Sequence, residues 1–269
     1  MEIPNLYVGK IEITQDEWET YMRYYYAKEK GKEPKIEVMA DVNFVGHSSG
    51  KVGAPTSHYG LSHDKIYKEK DTIDFPVYAI SYYEAIIYCN TLSTMNGLTP
   101  CYSIGPTTDL SKFEATSPVW KRIVCNFTAN GFRLPTEAEW EFAAREGKAL
   151  NSNLYSGSAN INSVAWYGEN SGITSHNVAT KDPNSLQLYD MCGNVAEWCW
   201  DYYSVNLVSG SQTNPHGPTI GEMHVKRGGS WLDDPQQCTV FYRSGSAPNG
   251  KSSSLGFRVC QTILMEQQN

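Results

Sequence analysis

Two short motifs near the C-terminus limit what this chain can fold into more than any other feature. Lys226-Arg227-Gly228-Gly229-Ser230-Trp231 opens, and Leu255-Gly256-Phe257-Arg258-Val259 closes, a run rich in serine, glycine and aspartate. Gly228 and Gly229 permit positive φ or close backbone approach, Trp231 offers a large surface to bury, and Phe257 and Val259 alternate like a half-buried strand. A disordered tail needs no such anchors. The segment at about 227–259 is therefore expected to be held in place and displayed.

Two further blocks lie upstream: Gly131-Phe132-Arg133-Leu134-Pro135-Thr136-Glu137-Ala138-Glu139-Trp140, continuing to Arg145, and Leu188-Tyr189-Asp190-Met191-Cys192-Gly193-Asn194-Val195-Ala196-Glu197-Trp198. With the C-terminal anchors, and in this order, they resemble the formylglycine-generating-enzyme (sulfatase-modifying factor) family. Leu6 to Thr14, and Phe75-Pro76-Val77 through Asn90, extend the likeness over nearly the whole chain. The resemblance implies one α+β domain over 1–269 with a C-type-lectin-like fold: a small twisted antiparallel sheet, two main helices and long ordered loops.

Composition narrows the classes of function. A net charge of −7 leaves no basic footprint for nucleic acid. No apolar run is long enough to span a membrane. Met1-Glu2-Ile3-Pro4 lacks the pattern of a signal peptide, so the expected cell-surface or extracytoplasmic location presumes a signal or lipid anchor outside this sequence, with the cytoplasm as the alternative. A monomer is expected. The 18 Tyr and 7 Trp argue for aromatic packing between loops. Seven cysteines without Cys-x-x-Cys spacing read mainly as buried apolar residues. Cys89 matches a bridged position of the family, but the partner position falls on Val259, one residue short of Cys260, so no bridge is carried over.

Local signals place several elements. Leu6 to Thr14 alternates as a strand, followed by a helix capped at Thr14 or Asp16. A helix from Tyr82 to about Met95 has Ser81 as N-cap, Glu84 as capping-box partner and Asn96-Gly97 as its stop. Tyr102–Ile104 and Ile123–Phe127 fit a hairpin. Pro135 fits the first position of a helix through Arg145. The stretch of about 28–70 is polar, without periodicity, and reads as a surface insertion.

Three constellations carry possible chemistry. The family's oxidase centre holds copper(I) between two cysteines five residues apart; counted from Trp231, Cys238 matches the second and Asp233 stands at the first. A carboxylate in place of a thiolate forfeits the two-sulfur site, so neither copper nor enzyme activity is expected. The resemblance also implies a structural calcium site with side-chain oxygens of Asp190 and Glu197 and carbonyls of Gly193 and Val195, a hard donor set; pairing of the two carboxylates with Arg133 or Arg258 is the alternative. The six histidines lack ligand spacing. Finally, Leu232, Asp233, Asp234, Phe241, Tyr242, Ser244, Gly245, Ser246, Ala247 and Asn249 occupy places that vary in one subgroup, the variable proteins of diversity-generating retroelements. The expectation is a non-catalytic binder whose displayed surface meets an unidentified protein or other macromolecule; a copper-dependent oxidase, or an inactive scaffold relative of it, is the alternative.

Overall fold

A computed structural model describes residues 3, 5–29, 44–48, 51–52, 74–148, 153–206, 210 and 212–263. Thr14 starts helix α1 (Gln15–Glu29): its hydroxyl accepts from Glu17 N at 3.3 Å while the Glu17 carboxylate accepts from Thr14 N at 2.8 Å. The same reciprocal cap starts α2 (Tyr82–Met95), with Ser81 and Glu84 exchanging bonds as their spacing predicts. Most of α2 is buried, including Tyr82, Ile86, Tyr88 and Leu92. A helix buried over most of its circumference belongs in a core, and in α2 the hydroxyls of Thr91, Ser93 and Thr94 bond back to the helix carbonyls four residues earlier. Its one buried amide, Asn90, is satisfied: Nδ2 donates to the carbonyls of Tyr102 and Thr108, and Oδ1 accepts from Tyr102 N.

In chain order the strands are β1 (Leu6–Gly9), β2 (Phe44–Ser48), β3 (Lys51–Val52), β4 (Tyr102–Ile104), β5 (Ile123–Cys125) and β6 (Phe132–Arg133). They continue as β7 (Ala196–Tyr202), β8 (His224–Arg227), β9 (Ser244–Ser246), β10 (Leu255–Gly256) and β11 (Cys260–Thr262). One sheet runs β3-β2-β1-β11-β6, another β10-β7-β8-β9, and β4 pairs with β5 as the expected hairpin. The pairing of β10 with β7 is parallel and the rest are antiparallel. Helix α3 (Glu137–Ala144) completes the main frame, and α4 (Ile161–Val164) is a single turn in the long loop before β7.

Three expectations need correction. The strand expected from Leu6 to Thr14 stops at Gly9, because Glu12 turns inward to accept from Asn194 and Val195; Thr14 rejoins only as a bridge to Pro76. The stretch of about 28–70, expected as a surface insertion without periodicity, holds β2 and β3, a hairpin added to the edge of β1. The remainder of that insertion lies outside the described residues. Pro135 precedes the cap of α3 rather than opening its first turn: Thr136 is the N-cap with Glu139 as partner, and Pro135 offers its carbonyl to Trp200 N at 2.9 Å.

Buried arginines join the loops to this frame. Arg133 grips both oxygens of Glu139 at 2.7 Å, and Arg258 both oxygens of Glu197 at 2.6 and 2.7 Å. All four side chains are out of solvent, where such bidentate geometry is needed to offset desolvation. Aromatic contacts between loops are abundant, as composition suggests; Tyr83 stacks on Trp120 and Tyr102 on Trp200. The seven cysteines are all unpaired. Val259 packs in the same apolar cluster as Cys89, while Cys260 turns to Arg133 Nη1 at 3.1 Å, the face reversal that one residue of shift produces.

Asp201, on β7, is buried with its carboxylate accepting from Glu137 N at 2.8 Å at the start of α3. Burial, and then the charges of Glu137 and Glu139, push it up to about 8. A carboxyl raised in the fold favours folding while protonated, and that contribution is lost as pH rises through the folded value. The contribution is full below the unfolded value and is lost as pH rises from about 4 to about 8, so the melting temperature should fall across that window and level off above it. Asp201→Asn, which keeps the acceptor without the charge, should flatten that fall in thermal melts.

Candidate functional site

The displayed segment begins where β8 ends. Gly228 and Gly229 adopt φ of 92° and 69°, and a Cβ at Gly229 would lie 2.8 Å from Cys238 Sγ. The turn thus brings a short 3-10 helix, Pro235–Cys238, directly onto the glycines. Cys238 and Val240 are sealed in an apolar cluster with Trp140, Tyr167, Met191 and Val225. Residues 232–249 then cross the surface and return through Leu255 and Phe257, both buried in the cluster around α2.

Arg227 organises the segment, and it does so without reading a single displayed side chain. Its Nη1 donates to the carbonyls of Phe241 and Tyr242 at 3.2 and 2.8 Å, and its Nη2 to that of Val240 at 2.7 Å. Glu141 takes a further bond from Nη2 at 2.9 Å, Glu137 lies 3.4 Å away, and the guanidinium sits over the Trp140 ring. Arg243 binds Glu137 through Nε and Nη2 and donates to Ser204 O, fixing the next residue along.

Several further ties also go to the main chain, beside the side-chain pair of Lys251 with Glu84. Ser171 Oγ donates to Trp231 O, Gly168 N to Asp233 O, Tyr82 N to Pro248 O, Ala79 N to Ser252 O and Ala196 N to Ser254 O. Carbonyls exist whatever side chain a residue carries. Among the ten residues expected to form the surface, Leu232, Asp234, Phe241, Ala247 and Asn249 are exposed, while Asp233, Tyr242, Ser244, Gly245 and Ser246 are partly buried. The Ser230 hydroxyl donates to Asp233 Oδ2 at 2.6 Å, and Tyr242 OH accepts from Gln237 at 3.3 Å.

Two assignments change. Gly245 was expected among the contact residues, but it pairs with Val225 in the sheet and a Cβ there would lie 2.7 Å from Cγ of Tyr203. It is a packing position. Trp231 was expected to bury a large surface, yet it is only partly buried, and its indole donates to Ser253 O at the surface. The anchoring role belongs to Arg227. Nothing in local spacing marks Arg227 out beyond its place before two glycines, because its partners lie 13 to 15 residues away.

The residues of the expected calcium site share the turn that leads into β7. Asp190 Oδ2 accepts from Ala179 N at 2.7 Å. Glu197 is held at both oxygens by Arg258 and takes the Trp140 indole at 2.7 Å, as the alternative pairing allowed. Sequence reasoning missed Glu12, fully buried, which accepts from Asn194 Nδ2 at 2.6 Å and Val195 N at 3.0 Å. Its parity with the buried Leu6 and Val8 was the available signal. Burial drives Glu12 well up, aided by the charges of Asp190 and Glu197, and drives Asp190 up to about 6. Burial thus holds Glu12 and Asp190 toward their neutral forms beside the Glu197–Arg258 pair. Among the described residues no three of His, Cys, Asp and Glu converge as ligands, so a cation here would rest on Asp190 and backbone carbonyls.

Comparison with known proteins gives a consistent set of relatives. Residues 1–263 match the sulfatase-modifying factor enzyme 1-like domain. The chaperone protein LppX of Paenibacillus barcinonensis is 30% identical across 97% of this chain and 81% of its own length. The formylglycine-generating enzyme of Streptomyces coelicolor is 36% identical, over 48% of this chain and 46% of its own. Among solved structures, Treponema denticola variable protein 1 superposes with a TM-score of 0.70 at 32% identity, covering 96% of this chain and 84% of that one.

Substitution should separate rivet from ornament. Trp140→Ala removes a fully buried ring and should destabilise by roughly 3 to 5 kcal/mol. Trp231→Ala should lose less, about 1 to 2 kcal/mol, since its ring is only partly buried. Arg227→Met strips three carbonyls of their donor and should lose about 3 kcal/mol or more, with exchange protection disappearing across 239–243. Denaturant melts and amide exchange measure all three.

Proposed function

The chain belongs to the sulfatase-modifying factor enzyme 1-like family, with the α+β, C-type-lectin-like fold of its relatives, and on that basis we propose that it is a non-catalytic binding protein whose displayed segment meets a protein partner. The observation that carries this reading is the Arg227 clamp. Three consecutive carbonyls are fixed from outside the segment while Phe241 stays exposed and Tyr242 partly so, so the surface can change in content without losing its shape. The likeness to a variable protein supports a surface of variable content, and the likeness over the full chain to a protein named a chaperone supports a polypeptide as ligand.

Against an oxidase stands the state of Cys238. It is wholly buried, and burial pushes its thiol far above the ordinary range, whereas copper(I) and nucleophilic chemistry both need an accessible thiolate. Asp233, at the position of the family's first cysteine, is engaged by Ser230.

The test is a library randomised at Leu232, Asp234, Phe241, Tyr242, Ala247 and Asn249 on the intact frame. Exposed sites should each shift stability by no more than about 0.5 kcal/mol, so most members should fold and selection against a test protein should yield binders. Widespread unfolding in the library would overturn the reading. Calcium held by Asp190 and the carbonyls of Gly193 and Val195, with Glu197 kept by Arg258, is proposed as a structural ion beside the buried carboxylates. The melting temperature should then rise in saturating calcium relative to chelator, by mass action on the native state; identical melts would remove the site.

A further inference from the structure

The displayed segment has a neighbour that the sequence did not single out. Ile173, in the loop after α4, is 78% exposed and adopts φ of +65°, following Gly172 at +63°. A β-branched residue in the left-handed region is strained where glycine would not be. With its side chain in water, Ile173 gains little from burial within its own chain to offset that strain. Backbone strain at a solvent-facing residue, unlike exposure alone, is the kind of outlier from which a contact outside the chain can be argued.

The loop that presents it is rigid and tied to the displayed surface. Ser171 Oγ accepts from Ile173 N at 3.2 Å and donates to Trp231 O at 2.8 Å. Gly168 N donates to Asp233 O, and His176 N to Asn194 Oδ1, both at 2.9 Å. These bonds bring Ile173 to the side of the segment where Leu232 is 53% exposed. Carboxylates border the pair: Asp233 and Asp234 follow Leu232, and the exposed Glu169 follows Gly168. Lys181, from the same loop, is drawn away onto the Trp166 ring and Asn162 O.

We propose that Ile173 is a fixed contact of the binding surface, and that with Leu232 and the bordering carboxylates it selects protein partners presenting an apolar side chain flanked by lysine or arginine. This rests on the displayed segment being a ligand site and adds to it a constant residue and a charge preference.

The probe is an amphipathic peptide with leucine on one face and lysine on the other, titrated into the full chain beside a counterpart in which glutamate replaces lysine. Amide shifts of 168–176 and 230–234 report the location, and calorimetry the affinity. The Leu/Lys peptide should shift those resonances and bind about tenfold more weakly to Ile173→Gly, the scale of a contact residue at an interface. Ile173→Gly should melt no lower than the parent, since it relieves the backbone. Unchanged affinity in that variant, equal binding of the glutamate peptide, shifts confined to other surfaces, or no binding would each overturn the proposal. The library experiment judges the displayed surface separately, so binders that withstand Ile173→Gly would remove Ile173 and leave that surface standing.

Discussion

The Arg227 guanidinium is the interaction on which the arrangement of this surface depends. It lies at the end of β8, fully buried, with two carboxylates, one indole face and three main-chain carbonyls around it. A buried cation is tolerable only with such a shell. The shell in turn fixes α3, which supplies Glu137, Glu141 and Trp140, against the stretch from Val240 to Tyr242. Frame and display are thus joined by one side chain that belongs to the frame.

The same division of labour recurs elsewhere. Arg258 locks the turn at Glu197 to Gly9 and Tyr189, and Arg133 locks α3 to β11 through Glu139, Thr262 and Cys260. Long loops carry much of this fold, and loops lack the ladder that satisfies backbone groups in helices and sheets. Guanidinium groups with five donors supply the missing partners. A chain with a modest sheet content can therefore hold irregular segments in single conformations.

What could be read in the sequence was what local chemistry determines. The caps at Ser81 and Thr14 and the β4–β5 hairpin follow from residues a few positions apart, and the structure has them. The motifs that carry the family likeness also hold the buried pairs, Arg133 with Glu139 and Arg258 with Glu197. What escaped was set at long range. β2 and β3 form because the β1 edge is available, not because their own pattern demands it. Glu12 meets Asn194 across 182 residues. Trp231 looked like an anchor by size, whereas the decisive contacts belong to a neighbour whose partners are carbonyls, and carbonyls leave no trace in composition. Gly245 looked like a small contact residue and is empty because a tyrosine ring fills its space.

The parallel pairing of β10 with β7 has a topological consequence. β8 and β10 flank β7 on its two sides, so the segment leaves and re-enters the sheet two strand spacings apart, roughly 10 Å. Its ends are thus held together by the sheet whatever lies between them. Lengthening a loop whose ends are already fixed adds closure entropy only logarithmically. The interval between the tethered carbonyls of Pro248 and Ser252, outside the strands and the 3-10 helix, is a place where residues could be added as well as exchanged. The surface can therefore change in contour and reach, a wider range of shape than substitution alone provides.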